Sequence, residues 1–222
     1  MPVFHLIAGP NGAGKSTLYR YLIQPRYPQL PFINADVHEQ AQLGHIRHER
    51  KRSEAARAWA DSAREACLQE QRSFVSETVF SHPSKLELIA DAQARGFEVV
   101  LYVVCVDEPR RLLTRVQQRV SEGGHSVPVD RILARYPRTV EHLRLAVRQV
   151  QLALLFDGAD VELGGPQLVA SVVGGQVHRQ ASRQPAWVLK VLGTRAITPA
   201  SAPRSRLPSP ARRAKSARNP SK

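Results

Sequence analysis

Cysteine is scarce in this sequence: its 222 residues hold two, Cys67 and Cys105. Two cysteines without metal-type spacing exclude a disulfide framework, and both read as reduced core residues, one in an expected helix and one in an expected buried strand. No run approaches the ~18 apolar residues of a membrane span, and Met1-Pro2-Val3-Phe4-His5 is no basic, long apolar leader. The expectation is a cytoplasmic location and no membrane contact. Internal repeats are missing as well. Acid is missing from one end, because Thr194 to Lys222 carries eight Lys or Arg, no Asp or Glu, and repeated Pro, Ser and Ala. Such a segment has little to bury and is expected to be a disordered tail. It holds +8 of the net charge of +13, leaving +5 for residues 1–193. The basicity is therefore largely peripheral. A basic tail can touch nucleic acid weakly through phosphates, but no recognition motif accompanies this one. The length fits one α/β domain over 1–193 followed by the tail over 194–222.

What the sequence does contain is Gly9-Pro10-Asn11-Gly12-Ala13-Gly14-Lys15-Ser16-Thr17, the phosphate-cradling pattern G-x-x-x-x-G-K-[ST]. Its flanks suit the mechanism. Val3 to Ala8 is short, apolar and β-prone, and Lys15 to Ile23 carries apolar residues at helical spacing. In a strand–loop–helix unit the backbone N–H groups of the loop wrap a β-phosphate, helped by the positive end of the helix. Lys15 then reaches the β- and γ-phosphates and Ser16 ligates Mg²⁺. ATP and Mg²⁺ are the cofactors this pattern implies.

Further along, Gln24 to Pro28 breaks the first helix at two prolines. Pro31 to Asn34 reads as a short strand that delivers Asp36 to the crevice edge of the sheet. Asp36, or Asn34, can equally cap the helix that follows. The polar stretch from Val37 to Arg52 holds His38, His45 and His48 without partner acids at metal spacing, so these read as solvent-facing. Ser53 opens a helix to about Gln71, and Arg72 to Ser76 forms a third strand that brings Glu77 and Thr78 to the same edge. Pro83 to Arg95 is a helix stopped by Gly96. Phe97 to Val106 is the most continuous apolar run and is expected to be a central parallel strand.

Asp107 superficially completes an apolar-run-plus-Asp magnesium motif, but Asp107-Glu108-Pro109 has the order of a cap for the next helix, and the cap is the preferred reading. That helix, Arg110 to about Glu122, carries Arg110, Arg111, Arg115 and Arg119. After Gly123-Gly124 and a hinge at His125 to Pro128, a second basic helix carries Arg131, Arg135 and Arg138. Two such helices about a Gly-Gly hinge resemble a lid that closes over phosphates and excludes water. Leu152 to Gly158 is expected as the last core strand, Leu168 to Val173 as an edge, and Trp187 to Leu192 as a short closing helix.

Taken together, these motifs resemble the zeta-toxin family of P-loop kinases. The match is carried by Leu6 to Thr17, by Phe32 to Asp36 and by Ser76-Glu77-Thr78. It continues through Arg115-Val116, Arg119-Val120, Gly123 to Pro128, Ile132, Arg135-Tyr136 and Arg138. The resemblance implies a P-loop NTPase-type three-layer α/β fold with a central, mainly parallel sheet and a helical lid. It also implies transfer of the ATP γ-phosphate to a sugar hydroxyl of UDP-N-acetylglucosamine. Asp36 then matches the general base, and Glu77 with Thr78 the substrate-holding positions. Arg119 and Arg135 match the arginines that neutralise the transferring phosphoryl group, with Arg115, Arg131 and Arg138 as alternatives in a crowded set. An antitoxin protein is the partner such a family suggests. Other readings are a kinase for another small hydroxylated acceptor, such as a nucleoside or an antibiotic, and a non-catalytic NTP-binding, nucleic-acid-associated protein.

Overall fold

Apolar β-prone runs that alternate with helical segments predict a sheet covered on both faces. The computed structural model has that arrangement and describes residues 1–121, 128–160 and 164–193. β1 (Val3–Ala8) leads into α1 (Lys15–Leu18), which widens into a π turn over Tyr19–Ile23. There follow β2 (Phe32–Ile33), α2 (Ala35–Gln42), α3 (Glu49–Gln69), β3 (Phe74–Thr78), α4 (Ser84–Ala94) and β4 (Glu98–Cys105). The chain continues through α5 (Pro109–Ser121), α6 (Val129–Gln149), β5 (Leu152–Asp157), β6 (Gln167–Val173), β7 (Gln176–Gln180) and α7 (Ala186–Leu192). The expected tail over 194–222 and the Gly123-Gly124 hinge lie outside the described residues. Among the described residues no helix is long and apolar enough to cross a membrane.

The seven strands form one sheet in the order β2-β3-β1-β4-β5-β6-β7. The first five pair in parallel, and β6 and β7 are antiparallel. From Val99 to Cys105 every residue of β4 is buried, which requires cover on both faces of the sheet. β1 lies between β3 and β4, so the winding of the chain reverses at its carboxyl end. A crevice opens at such a reversal, and that is where the glycine loop leaves β1.

Several elements differ from the sequence reading. β3 runs over Phe74–Thr78 rather than Arg72 to Ser76, so Glu77 and Thr78 are its last two rungs, opposite Ile7 and Ala8 of β1. α3 starts at Glu49, four residues early, inside the stretch whose periodicity is weak. Leu168 to Val173 is not an edge: β7 pairs outside it. The polar, mostly exposed run of β7 shows no apolar alternation, which hides it from a periodicity reading. His45 and His48 are exposed, whereas His38 stacks on Trp59 with ring centroids 3.8 Å apart and planes 1° from parallel. Cys67 and Cys105 are free and buried.

Among the described residues, Asp107 caps α7 rather than the helix that follows it. Its carboxylate accepts the backbone N–H groups of Ala186 at 3.0 Å and Trp187 at 2.7 Å. The residue before α7 is Pro185, which has no side-chain oxygen, so the first donors of that helix need an acceptor from elsewhere. Trp187 is fully buried and its indole N–H donates to Asp157 Oδ1 at 3.4 Å.

Removing the Asp107 carboxylate strands two donors at the start of α7. Asp107→Ala is expected to lower the unfolding free energy by about 1–3 kcal/mol, which thermal denaturation will read as a drop of several degrees. A second prediction concerns acid. His5 is buried in β1 with Nδ1 3.1 Å from the Tyr102 hydroxyl, and desolvation pushes its pKa down to about 4. The unfolded chain protonates this imidazole near 6.5 and the folded chain does not, so the unfolded state binds more protons between those values. Stability is expected to fall as pH drops from about 6.5 to about 4. Urea midpoints at pH 7 and pH 4.5 should differ less in His5→Gln than in the parent.

Candidate functional site

The glycine loop is held against β4 so tightly that one position admits no side chain. Gly9 has φ 152°, and an added Cβ would enter the carbonyl oxygen of Val104. Gly14, at φ 102°, is the N-cap of α1 and turns the chain so that Lys15 opens the helix. The Lys15 side chain is 7% exposed. Its Nζ donates to the Pro10 carbonyl at 3.1 Å and lies 3.6 Å from Glu77 Oε1. Ser16 Oγ donates to Glu77 Oε2 at 3.0 Å. One carboxylate thus engages both chemical residues of the loop. Ser16 and Glu77 are hard oxygen donors, the kind Mg²⁺ takes in ones and twos beside substrate phosphates, so the residues fit that ion.

The far side of the loop is braced by the turn after β5. An added Cβ on Gly158 would run into the Ala13 carbonyl oxygen, so this turn packs directly on the loop backbone. Arg115, from α5, donates to the carbonyls of Gly158 and Ala159 at 2.6 Å each. That removes Arg115 from the phosphate-facing alternatives, because its guanidinium is committed to the turn.

Beyond Lys15 a cleft of about 790 Å³ opens between α2, α3, the segment after β3 and α6. Asn11, Lys15, Asp36, Glu77 and Thr78 line it, together with Arg131, Arg135 and Arg138 from α6. Asp36 enters the cleft because Asn34 does the capping. The Asn34 side-chain oxygen accepts the N–H groups of Asp36 at 2.9 Å and Val37 at 3.3 Å. The Asp36 carboxylate is left without a hydrogen bond or ion pair among the described residues, one turn above the strand end. Arg135 is half-buried, and desolvation, reinforced by Arg131, Arg57 and Arg138, lowers its pKa while Asp36 opposes the shift. Asp36 and Arg135 therefore share one electrostatic neighbourhood. Arg119 belongs to α5, but its side chain lies outside the described residues.

The cleft wall contains a strained residue. Phe80 has φ 64°, unusual for a bulky side chain, and is buried. α6 fixes this segment. Thr139 Oγ1 donates to the Val79 carbonyl at 3.2 Å, and His142 Nδ1 contacts the Phe80 carbonyl at 3.2 Å, a contact that requires the N–H tautomer. Sequence reasoning missed Phe80, and also Arg57, Asp61, Arg64 and Lys85, which line the cleft from α3 and α4. No local pattern in the sequence marks them, because their place in the cleft depends on how distant elements pack.

A buried loop lysine at the reversal point of a mainly parallel sheet, with two arginine-bearing helices beside the cleft, defines a P-loop fold of the kinase type. The chain belongs to the zeta toxin family, whose model matches residues 1–162. Among solved structures, the AvrRxo1-ORF1:-ORF2 complex with ATP contains a chain that superposes with a TM-score of 0.63 at 19% identity, over 80% of this chain and 60% of that one. The PezAT chromosomal toxin-antitoxin system of Streptococcus pneumoniae gives 0.51 at 14% identity, over 71% and 68% of the two chains. A kinase candidate from Chloroflexus aurantiacus gives 0.50 at 17% identity, over 62% and 80%. At such identities the likeness is one of fold, and the present chain spans 60% of the AvrRxo1 chain it matches. The sequence matches no curated protein.

Because Glu77 is the counter-charge of a buried lysine, Glu77→Gln is expected to cost about 2–4 kcal/mol of stability in the nucleotide-free protein. Chemical denaturation measures this, and part of the loss should be recovered when inorganic pyrophosphate is added.

Proposed function

We propose that this protein is a kinase that transfers the γ-phosphoryl group of ATP to a sugar hydroxyl of UDP-N-acetylglucosamine. The observation that carries the reading is the Asp36 carboxylate, which capping does not use, in the same cleft as Lys15 and Arg135. When bound, ATP supplies the phosphoryl group, and Mg²⁺ neutralises charge on it. The remaining work belongs to the chain. Lys15 is the cation for the donor phosphates, with Gly9 to Thr17 as their cradle and Ser16 as the hydroxyl for the metal. Asp36 accepts the proton of the attacking hydroxyl as general base. Arg135, with Arg119, offsets negative charge as the phosphoryl group moves, and Glu77 and Thr78 border the acceptor. Phosphoryl transfer needs mainly in-line positioning and charge stabilisation, and this set supplies both.

The description of the AvrRxo1 complex as a structure with ATP supports the choice of donor. The description of PezAT as a toxin-antitoxin system supports an antitoxin-type partner for this chain, acting on a toxin that drains a sugar-nucleotide pool. The tail over 194–222 is proposed only as a weak nucleic-acid contact, and the protein as cytoplasmic.

The test is incubation with ATP, Mg²⁺ and UDP-N-acetylglucosamine, with mass detection of a singly phosphorylated sugar nucleotide. Product with a nucleoside or an antibiotic instead would transfer the mechanism to another acceptor, and no product with any acceptor would favour a non-catalytic NTP-binding role. Asp36→Asn is expected to keep ATP affinity while turnover falls by about 10²–10⁴-fold. A full transfer rate in Asp36→Asn would remove Asp36 from the role of base.

A further inference from the structure

Of residues 9–17 only Asn11 and Lys15 line the cleft. Asn11 is 7% exposed, and its side chain makes no hydrogen bond among the described residues. The backbone fixes where it stands. Pro10 to Ala13 form a tight turn, closed by the Ala13 N–H on the Pro10 carbonyl at 3.3 Å, with Gly12 at φ 79° as its third residue. That is the place at which a type II turn requires a positive φ. The turn packs directly on α5, where a Cβ on Gly12 would come within 2.9 Å of the Leu112 carbonyl oxygen. With Gly12 against α5 and Ala13 against Gly158, the corner at Asn11 is the part left toward the cleft.

The same turn relates the Asn11 amide to a bound nucleotide. Its Pro10 carbonyl also accepts Lys15 Nζ at 3.1 Å, so the lysine ammonium and the peptide between residues 10 and 11 are neighbours. In a loop of this pattern the backbone N–H groups at the helix start wrap the β-phosphate, and the lysine reaches on to the γ-phosphate. Asn11 stands beside that lysine on the cleft side, which Asp36 and Arg135 also line. It therefore borders the γ position rather than the β position. A largely buried amide with neither its donors nor its acceptor met is costly. Its chemistry suits a phosphoryl oxygen, because the carboxamide N–H groups donate without placing a second full charge beside Lys15.

We infer that the Asn11 side chain recognises the γ-phosphoryl group of the donor, its amide N–H donating to a γ oxygen, and that it raises the affinity of the loop for a nucleoside triphosphate relative to the diphosphate. This role belongs to the side chain. The backbone cradle is a separate matter, since other residues at position 11 would supply it equally. A diphosphate places no oxygen at the amide and leaves it unmet, so the spent nucleotide is released in favour of fresh donor. The inference rests on the reading of the loop as the donor-nucleotide site, and ADP binding tests that reading separately.

The test uses the full chain with Mg²⁺ and two probes, ADP and the non-hydrolysable triphosphate AMP-PCP, titrated separately in a calorimeter. In Asn11→Ala the affinity for AMP-PCP should fall by about 10–100-fold, the size of a lost hydrogen bond to a charged group, while that for ADP stays within about threefold. Asn11→Asp keeps the shape but removes the donor and adds a negative charge, and it should lose at least as much AMP-PCP affinity. The ratio of the two affinities separates recognition from structure, because a distorted loop weakens both nucleotides alike. The Asn11 side chain holds no other group, so thermal unfolding of the nucleotide-free Asn11→Ala protein is expected to match the parent. AMP-PCP affinity equal in the parent and Asn11→Ala, or a parallel loss of ADP affinity, would overturn the inference and leave the donor site standing. A parent that binds neither nucleotide would overturn the donor-site reading and the inference with it. Conversely, a selective loss of AMP-PCP in a protein that phosphorylates no sugar nucleotide would keep the role of Asn11 and reject that acceptor.

Discussion

The carboxylate of Glu77 ties the sheet to the glycine loop. In the β1–β3 register Ile7 pairs with Glu77 and Ala8 with Thr78, so the last rungs of β3 stand beside the exit of the loop from β1. Glu77 then reaches Lys15 and Ser16 with its two oxygens. A register slip of one residue would turn Glu77 to the opposite face of the sheet and leave a lysine buried without its counter-charge. The strand pairing and the electrostatics of the loop are therefore one constraint. The packing of Gly9 on β4 and of Gly158 on Ala13 closes the loop from the other sides.

A division of labour between neighbouring polar residues then determines which groups are available. Asn34 satisfies the orphan N–H groups of α2, which releases Asp36. Arg115 is spent on two carbonyls of the turn after β5, whereas Arg135 keeps its guanidinium toward the cleft. Residue type does not separate these roles, since each pair has similar chemistry. What separates them is whether an unmet backbone donor or acceptor lies within reach, because a buried peptide group left unpaired costs more than a surface charge gains.

The same distinction explains what was legible in the sequence. The glycine loop, the central strand β4 and the helix stopped by Gly96 depend on local chemistry, so pattern and punctuation are sufficient to find them. Asp36 was legible because strand ends in such sheets border the crevice. Asp107 was legible only as a cap: its partner helix starts some 80 residues away, and no local pattern names it. Arg64, Lys85 and the strained Phe80 were not legible. Their positions depend on how α3, α4 and α6 pack across the sheet, and on hydrogen bonds such as Thr139 to Val79 that span 60 residues. β7 escaped because its strand character comes from pairing with β6 rather than from its own composition.

The acids that line the cleft are divided between those paired with a cation and those left open. Asp61 pairs with Arg64, Glu39 with Arg52 and Glu77 with Lys15, so each anchored cation has its own carboxylate. Asp36 is different, because Arg135 is near enough to feel it yet no hydrogen bond joins them. A carboxylate held near a cation but not bonded to it keeps its lone pairs free to accept a hydrogen bond. A direct salt bridge to Arg135 would occupy an oxygen of Asp36 that is otherwise open to the cleft. The paired carboxylates hold the walls, and the Asp36 carboxylate, with no hydrogen bond or ion pair among the described residues, stays open to the cleft.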